Sequence, residues 1–271
     1  MGRPMADPLE GQAAVTERAE ARGPDAARAY DVSTYGERIA DVYDDLPRLP
    51  ANTERAVEFL AAVAGPGPLL ELGIGTGRLA LPLVHRGFAV HGIDASPAMV
   101  GKLRTKPGGE RISVAMGDFA DMAIAGRFSL IFVAFNTFFG LLSQDDQVRC
   151  FTGVAEHLTD DGVFVIEAFV PDLTRFDHGQ RVGATAVQTD AVYLETSVHD
   201  PVAQRIHSQQ IVVSERGVRL YPVDVRYAWP SELDLMARLA GLRLRERWGG
   251  WGREPFGASS GAHVSVYERA R

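Results

Sequence analysis

The chain has 271 residues, of which 46% are hydrophobic, and this is enough for one large domain or one domain with an inserted cap. Its formal net charge of −7 disfavours a nucleic-acid-binding surface, because phosphate groups bind to basic faces. The sequence contains no apolar run of about 18 residues, so no membrane-spanning helix is predicted. The single cysteine, Cys150, excludes an intramolecular disulfide, and we expect it to lie in the core.

The N-terminal part of the chain divides into a tail and a helical segment. Residues 1–28 are charged and carry no apolar signal core, so we expect a flexible tail on a cytoplasmic protein. Residues 29–66 are predicted to form an N-terminal helical lid. Helical spacing is found at Ile39, Val42 and Leu46 in a first helix, and over residues 53–64, after Asn52, in a second.

From residue 67 onwards, short apolar runs alternate with helical patterns. The predicted strands are LLEL (69–72), FAVHGI (88–93), RISVAMGD (111–118), FSLIFVAF (128–135), GVFVIEAF (162–169), LRLRERW (242–248) and HVSVYERA (263–270). The predicted helices span residues 76–87, 96–104, 143–158 and 231–241. This alternation predicts an α/β core, residues 67–181 and 229–271, with a Rossmann-like, seven-stranded, mostly parallel sheet and helices on both faces.

Residues 182–228 interrupt this rhythm. The segments VYLETSV, IHSQQIVV and VRLYPVDVRYAW alternate apolar and polar residues, and short turns separate them. This pattern predicts an antiparallel β-meander without a helix. Because the meander follows the fifth strand, we expect it to form a cap over the carboxyl edge of the sheet.

The segment ELGIGTGR, residues 71–78, places three glycines directly after the first predicted strand. Glycine is required where a backbone turns with positive φ or approaches a ligand closely. Arg78 stands where the dinucleotide fingerprint needs its third glycine, and no G-K-S/T follows as a P-loop would need. Glu71 would repel a pyrophosphate, so a cationic ligand suits this loop better.

The segment ELGIGTG resembles the cofactor loop of class I S-adenosylmethionine-dependent methyltransferases. Three further motifs strengthen the resemblance, which extends over about residues 35–170. Asp94 ends the second strand 17 residues after Gly77, GDF (117–119) follows the third strand, and HLTDDGVFVIE leads into the fifth. The resemblance implies that S-adenosylmethionine (SAM) is the cofactor.

The resemblance also implies which residues contact SAM. The implied cofactor site comprises Tyr35, Glu71, Gly73, Gly75, Gly77, Arg78, Asp94, Ala95, Met99, Gly117, Asp118, Phe119 and Phe135. In the family, an acid at the position of Asp94 binds both ribose hydroxyls, and one at the position of Asp118 binds the adenine amino group. Met99 and Phe119 would enclose the adenine ring or pack in the core, and Arg78 would reach the methionine carboxylate or remain in solvent.

The acceptor is expected beyond the carboxyl ends of the strands, where open parallel sheets bind ligands. The segments FNTFFG (135–140) and EAFVPD (167–172) end the fourth and fifth strands, and we expect Trp248 and Trp251 to line the same pocket. The candidate catalytic residues are Tyr43, Asn136, Glu167 and His207, with His199 as a further candidate proton acceptor. The sequence shows no metal-binding cluster, so no metal is expected.

Together these features predict a SAM-dependent methyltransferase that acts on a small molecule in secondary metabolism. An aromatic or indole-like acceptor, methylated on carbon, oxygen or nitrogen, is favoured. N-methylation of an aminosugar is the alternative, since ADVYD (40–44) resembles the lid of bacterial sugar N-methyltransferases. A non-catalytic SAM-binding protein and a nicotinamide-dependent oxidoreductase are the rivals from other classes. We expect no nucleic-acid or membrane partner, and a homodimer is possible.

Overall fold

A computed structural model describes residues 30–45 and 52–270. The predicted tail, residues 1–28, lies outside the described residues, as does Leu46. The helices are α1 (Thr34–Ile39), α2 (Thr53–Val63), α3 (Ala80–His85), α4 (Pro97–Arg104), α5 (Gln144–His157) and α6 (Pro230–Leu239). The strands are β1 (Leu69–Leu72), β2 (Val90–Asp94), β3 (Ser113–Met116), β4 (Phe128–Val133), β5 (Leu158–Phe169), β6 (Gln180–Val187), β7 (Ala191–Asp200), β8 (Arg205–Ser214), β9 (Gly217–Arg226), β10 (Leu242–Trp248) and β11 (Ala262–Arg269).

Seven strands form one sheet in the order β10-β11-β5-β4-β1-β2-β3. The strands from β3 to β5 pair in parallel, and β11 pairs antiparallel with both β5 and β10. The predicted Rossmann-like, mostly parallel sheet is therefore confirmed. The carboxyl ends of β1, β2, β4 and β5 lie along one edge, which is where a ligand site is expected.

Helices cover both faces of this sheet. All six residues of β4 are buried, and alternate side chains enter opposite cores. Ile131 and Val133 pack with α5 and α6, whereas Leu130 and Phe132 pack with α2 and α3. This two-sided burial explains why the central strands are continuous apolar runs. Cys150 is buried in the first of these cores, as predicted.

The helix starts follow local sequence signals with three differences, the first being that the Asn52 side chain makes no capping hydrogen bond at the start of α2. The Ser96 hydroxyl accepts a hydrogen bond from the N–H three residues later, and Pro97 is the first residue of α4, as predicted. Helix α6 begins at Pro230, one residue before the predicted start, because the fixed φ of proline suits the first helical position. Helix α3 is shorter than predicted, since residues 76–79 stay in the glycine loop.

Strands β6 to β9 form a separate antiparallel sheet, which confirms the predicted meander and adds a strand, β6, that was not among its three predicted segments. We name this sheet the cap. Its inner face, which packs toward the core and α1, carries Tyr193, Glu195, Ser197, His199, Ile206, Ser208, Val212 and Tyr221. Its outer face carries Val182, Val198, Val213, Val218 and Leu220, all of them exposed.

The segment before α2 is less regular than predicted. Helix α1 has only six residues, and a 3₁₀ turn follows at Tyr43–Asp45. The N–H of Val42 donates to the carbonyl of Ile39, three residues earlier, and this tightens the chain after α1. Ile39 and Tyr221 pack in one small cluster, so this segment contacts the cap.

Candidate active site

The glycine loop after β1 turns through left-handed backbone conformations. Gly73, Gly75 and Gly77 have φ of +68°, +56° and +82°. A Cβ on Gly73 would lie 2.4 Å from Thr137, and one on Gly77 would lie 2.4 Å from Leu103. At Gly75, in contrast, the nearest atom would be the Gly73 carbonyl oxygen at 4.0 Å. Gly73 and Gly77 are therefore needed for packing, whereas Gly75 leaves open space beside the loop.

Asp94, at the end of β2, organises this loop. Its Oδ2 accepts a hydrogen bond from the N–H of Gly75 at 2.7 Å, and its Oδ1 accepts one from the N–H of Ser96 at 2.8 Å. Burial raises the pKa of Asp94, and the backbone hydrogen bonds oppose that shift. A carboxylate has about four acceptor sites, so Asp94 can bind a ligand hydroxyl while it holds the loop.

Glu71 is a buried acid directly before the loop. It is 5% exposed, and its Oε2 is buried without a hydrogen-bond partner. Burial raises its pKa to about 8; Arg78 opposes the shift, and Asp94 adds to it. A cationic ligand would relieve the cost of ionising this group.

The residues after β3 continue the same edge. Gly117 has φ of +151°, open space beside it, and an N–H that donates to the carbonyl of Asp94 at 2.9 Å. The Oδ1 of Asp118 accepts from the N–H of Ala120, and burial raises the pKa of Asp118. The Phe119 ring is 5% exposed and approaches the glycine loop near Gly73.

The segment containing α1 is fastened to the glycine loop and α4. The Thr76 hydroxyl donates to Asp44 Oδ1 at 2.7 Å, and Lys106 Nζ lies 2.7 Å from Asp44 Oδ2. The Glu37 carboxylate accepts from the Ser96 hydroxyl at 2.7 Å. The partly buried Tyr35 and Tyr43 and the buried Met99 belong to the cluster beneath this segment, and Ala95 is half-buried beside α4.

Arg78 and Phe135 meet above the loop. The Arg78 guanidinium lies 5.6 Å from the centre of the Phe135 ring, and its Nη1 donates to the Thr53 hydroxyl at 3.0 Å. Arg78 therefore joins the glycine loop to the start of α2 and to the end of β4.

The ends of β4 and β5 are held together by side chains. Phe135 and Asn136 have φ of +56° and +64°, a conformation that costs energy in residues other than glycine. The N–H of Phe135 donates to Glu167 Oε2 at 2.8 Å, and the N–H of Phe169 donates to Asn136 Oδ1 at 2.7 Å. The structure thus brings Asn136 and Glu167 together at this edge, where both bind backbone groups.

The histidines on the cap lie on different faces. His207 is on the outer face, where its Nδ1 is 2.9 Å from an Asp224 carboxylate oxygen. The structure therefore does not bring His207 to the strand ends. His199 is on the inner face, stacked 4.8 Å from Phe176, and its Nε2 is 2.9 Å from the Tyr227 hydroxyl.

The two tryptophans do not line the pocket as expected. Trp251 is 4% exposed and packs edge-on against Phe59, with 5.4 Å between the ring centres. Trp248 packs against the same core cluster. Both side chains therefore contact the apolar core, and the indole N–H of each is buried without a hydrogen-bond partner.

A cavity of about 340 Å³ lies between the end of β5 and the inner face of the cap. Phe169, Pro171, Leu173 and Ile206 form apolar walls, and Arg175 and Arg181 contribute charged ones. The segment EAFVPD (167–172) and the cap were expected at this pocket, but sequence reasoning missed both arginines. The signal was weak, because the residues come from separate segments of the chain.

In residues 30–45 and 52–270, no group of three or more His, Cys, Asp or Glu side chains could hold a metal ion. Within the same residues, no helix has the length and apolar character needed to cross a membrane.

Comparisons with known proteins identify close relatives. A family model described as a methyltransferase domain matches residues 69–162. The CcbJ methyltransferase from Streptomyces caelestis is 45% identical, with a TM-score of 0.86 over 89% of this chain and 100% of that chain. The cypemycin N-terminal methyltransferase from Streptomyces sp is 27% identical over 245 residues, which is 88% of this chain and 99% of that protein. A SAM-bound amino pentose methyltransferase from Micromonospora echinaspora, CalS10, shares the fold at 19% identity, with a TM-score of 0.58 and complete coverage of both chains.

Proposed function

The chain belongs to the S-adenosylmethionine-dependent methyltransferases, and on that premise we propose that it methylates an amino nitrogen of a small-molecule natural product. The relative named as an N-terminal methyltransferase matches 88% of this chain, and an N-terminal acceptor position supports this choice of nucleophile. The acceptor class that the sequence favoured, an aromatic or indole-like ring, is the alternative.

The residues at the strand ends fit SAM. We propose that Asp94 binds the ribose, that Asp118 and Phe119 border the adenine, and that Glu71 faces the cationic half of the cofactor. The buried, unpartnered Oε2 of Glu71 and the open space at Gly75 support this assignment. Bound SAM supplies an activated methyl group together with its leaving group, so the protein mainly aligns the acceptor and excludes water.

The match to the N-terminal methyltransferase is the observation that carries the proposal, and the side chains of Asn136 and Glu167 are consistent with it. Both side chains accept hydrogen bonds from backbone N–H groups, so they hold the ends of β4 and β5 in place. A hydroxyl or carbon nucleophile needs a positioned proton acceptor, whereas a neutral amine already carries its reactive lone pair. An amine therefore fits this edge of the sheet without a further catalytic residue.

The aromatic residues at the end of β4 give less support to an aromatic acceptor than the sequence implied. Phe138 and Phe139 are fully buried and pack edge-on against Phe151 and Phe169, respectively. Packing in the core therefore accounts for the aromatic side chains at these two positions, and no aromatic ligand is needed.

Matched acceptors that differ only in the nucleophile test the proposal. Tryptamine and tryptophol form one pair, and glucosamine and glucose form another. Release of S-adenosylhomocysteine (SAH) and the mass of the product would be measured for each. We expect methylation of an amine and none of its hydroxyl counterpart, and we expect Asp94→Ala to lower activity at sub-saturating SAM. Methylation of the hydroxyl or the indole carbon, with the amine untouched, would overturn the proposal.

A further inference from the structure

Two arginines from different segments meet at the cavity between β5 and the cap. Arg175 comes from the turn after β5, and Arg181 comes from β6. Both line the cavity, and their side chains remain about one-third exposed, at 36% and 34%. Both guanidinium groups are therefore accessible to a ligand that enters the cavity.

One carboxylate oxygen holds both arginines. Glu195 Oε1 accepts from Arg175 Nη2 at 2.8 Å and from Arg181 Nη1 at 3.4 Å. The two guanidinium groups together carry about ten N–H donors, and Glu195 takes one from each. Arginine is the side chain best suited to bind a planar carboxylate or a phosphate with paired hydrogen bonds.

Another acid at the cavity is occupied by its own loop. Asp172 lines the cavity, but its Oδ1 accepts hydrogen bonds from the N–H and the hydroxyl of Thr174, at 3.0 and 2.6 Å. Hydrogen bonds from Thr174 lower the pKa of this exposed carboxyl, so it remains ionised near the rim. Asp172 is therefore directed to its own turn, and the arginines are the donors that an incoming group would meet.

We propose that Arg175 and Arg181 bind an anionic group, a carboxylate or a phosphate, that the methyl acceptor carries away from its reactive nitrogen. The inference rests on the proposed function, because the cavity adjoins the transfer site through Phe169, whose N–H donates to Asn136. Glu195 holds the two guanidinium groups in position in the free protein. When the anion binds, it replaces Glu195 as the acceptor of some of their hydrogen bonds. The apolar walls accommodate the part of the acceptor between its anion and its amine.

Small probes that match this cavity test the proposal without a known acceptor. Benzoate, phenyl phosphate and the neutral benzamide would be titrated calorimetrically into the SAH-saturated protein at constant ionic strength. We expect benzoate or phenyl phosphate to bind about tenfold or more tightly than benzamide. The preference between the two anions identifies the group as a carboxylate or a phosphate.

Variants assign the effect to the arginine pair. Arg175→Met and Arg181→Met are each expected to remove most of the preference for the anion, whereas Arg181→Lys retains part of it. Arg243→Met, which removes an ion pair with Glu268 between β10 and β11, is the matched control and should bind like the wild type. Equal binding of benzamide and the anions, or an unchanged preference in both methionine variants, would overturn the inference. SAH affinity measured in every variant separates this failure from a failure of the cofactor site.

Discussion

The Asp94 carboxylate both holds the backbone around the glycine loop and is the group that we propose binds the ribose. One carboxylate oxygen holds the glycine loop through Gly75, and the other binds the start of α4 through Ser96. Loss of the carboxylate would therefore loosen the loop as well as remove the contacts that we propose for the ribose. The sequence implied only the second role.

We expect Asp94→Ala to weaken SAH binding by about 1.5–3 kcal/mol, because charge-assisted hydrogen bonds are lost. Isothermal titration measures the affinity, and circular dichroism verifies the fold. Asp41→Ala, on the surface near α4, is the control and should bind SAH normally. An unchanged dissociation constant for Asp94→Ala would contradict its assignment to the cofactor site.

Glu71 makes the stability of the protein depend on pH. Burial raises its pKa from 4.5 to about 8, so the folded protein keeps a proton that the unfolded chain has lost between these values. Stability therefore falls as the pH rises from about 4.5 to about 8. Glu71→Gln cannot ionise, and the variant should lose this part of the pH dependence.

Urea unfolding of the wild type and Glu71→Gln at about pH 5 and about pH 9 measures this effect. We expect the wild type to lose stability relative to the variant, by on the order of a few kcal/mol. Glu58→Gln, on the exposed side of α2, is the control. If Glu71→Gln showed the same pH dependence as the wild type, Glu71 would not be the group that keeps the proton.

At the scale of elements, the segment around α1 is held by one acidic side chain in particular. Asp44 accepts from the Thr76 hydroxyl and pairs with Lys106, and Thr76 is itself buried. This contact fastens the proposed lid directly to the glycine loop. The release of a ligand from that loop should therefore require the contact to open.

We expect Asp44→Ala to accelerate SAH dissociation about tenfold, because it leaves a buried hydroxyl without its acceptor. Stopped-flow fluorescence measures the rate. Asp41→Ala also removes an acid that follows α1, but its partner, Lys102, lies outside the glycine loop. Equal dissociation rates in the wild type and Asp44→Ala would show that the segment does not control release.

The elements were predictable where local patterns determine them. The strands, the glycine loop and the start of α4 follow from apolar runs, glycine spacing and the Ser96-Pro97 cap. The meander was also predictable, but not which of its faces turns inward. A shift of one residue reverses the face, which is why His207 was expected at the site but lies on the outer face.

The missed features depend on contacts between distant segments. Arg175, Arg181 and Glu195 come from a turn and two cap strands, and only the folded cap brings them together. The Gly-rich segment around Trp251 predicts a pocket residue, yet Trp251 packs against Phe59 of α2. Sequence spacing does not predict either the arginine contacts with Glu195 or the packing of Trp251 on Phe59.

At the scale of the whole molecule, the outer face of the cap is unusual. An antiparallel sheet packed on one side normally exposes polar residues on the other. Here Val182, Val198, Val218 and Leu220 are between 49% and 75% exposed. Four strands of up to ten residues make a face about 34 Å long and about 19 Å wide. A second copy would cover the apolar side chains of this face, so a second copy is the occupant that we expect.

We therefore expect a homodimer in which two outer faces stack. Sedimentation equilibrium at micromolar concentration should show a dimer for the wild type and a monomer for the double variant Val182→Glu, Leu220→Glu. Leu239→Glu, on the exposed surface of α6, is the control and should remain dimeric. A wild type that is monomeric throughout, or a double variant that stays dimeric, would contradict this interface.

We propose that this methyltransferase transfers a methyl group to nitrogen. The most direct measurement uses SAM with an isotope-labelled methyl group and locates the label in the product by nuclear magnetic resonance. We expect a labelled N-methyl group, formed in step with SAH, on one of the amines in the matched acceptor pairs. A label found on oxygen or on a ring carbon, with the amines unmodified, would contradict it.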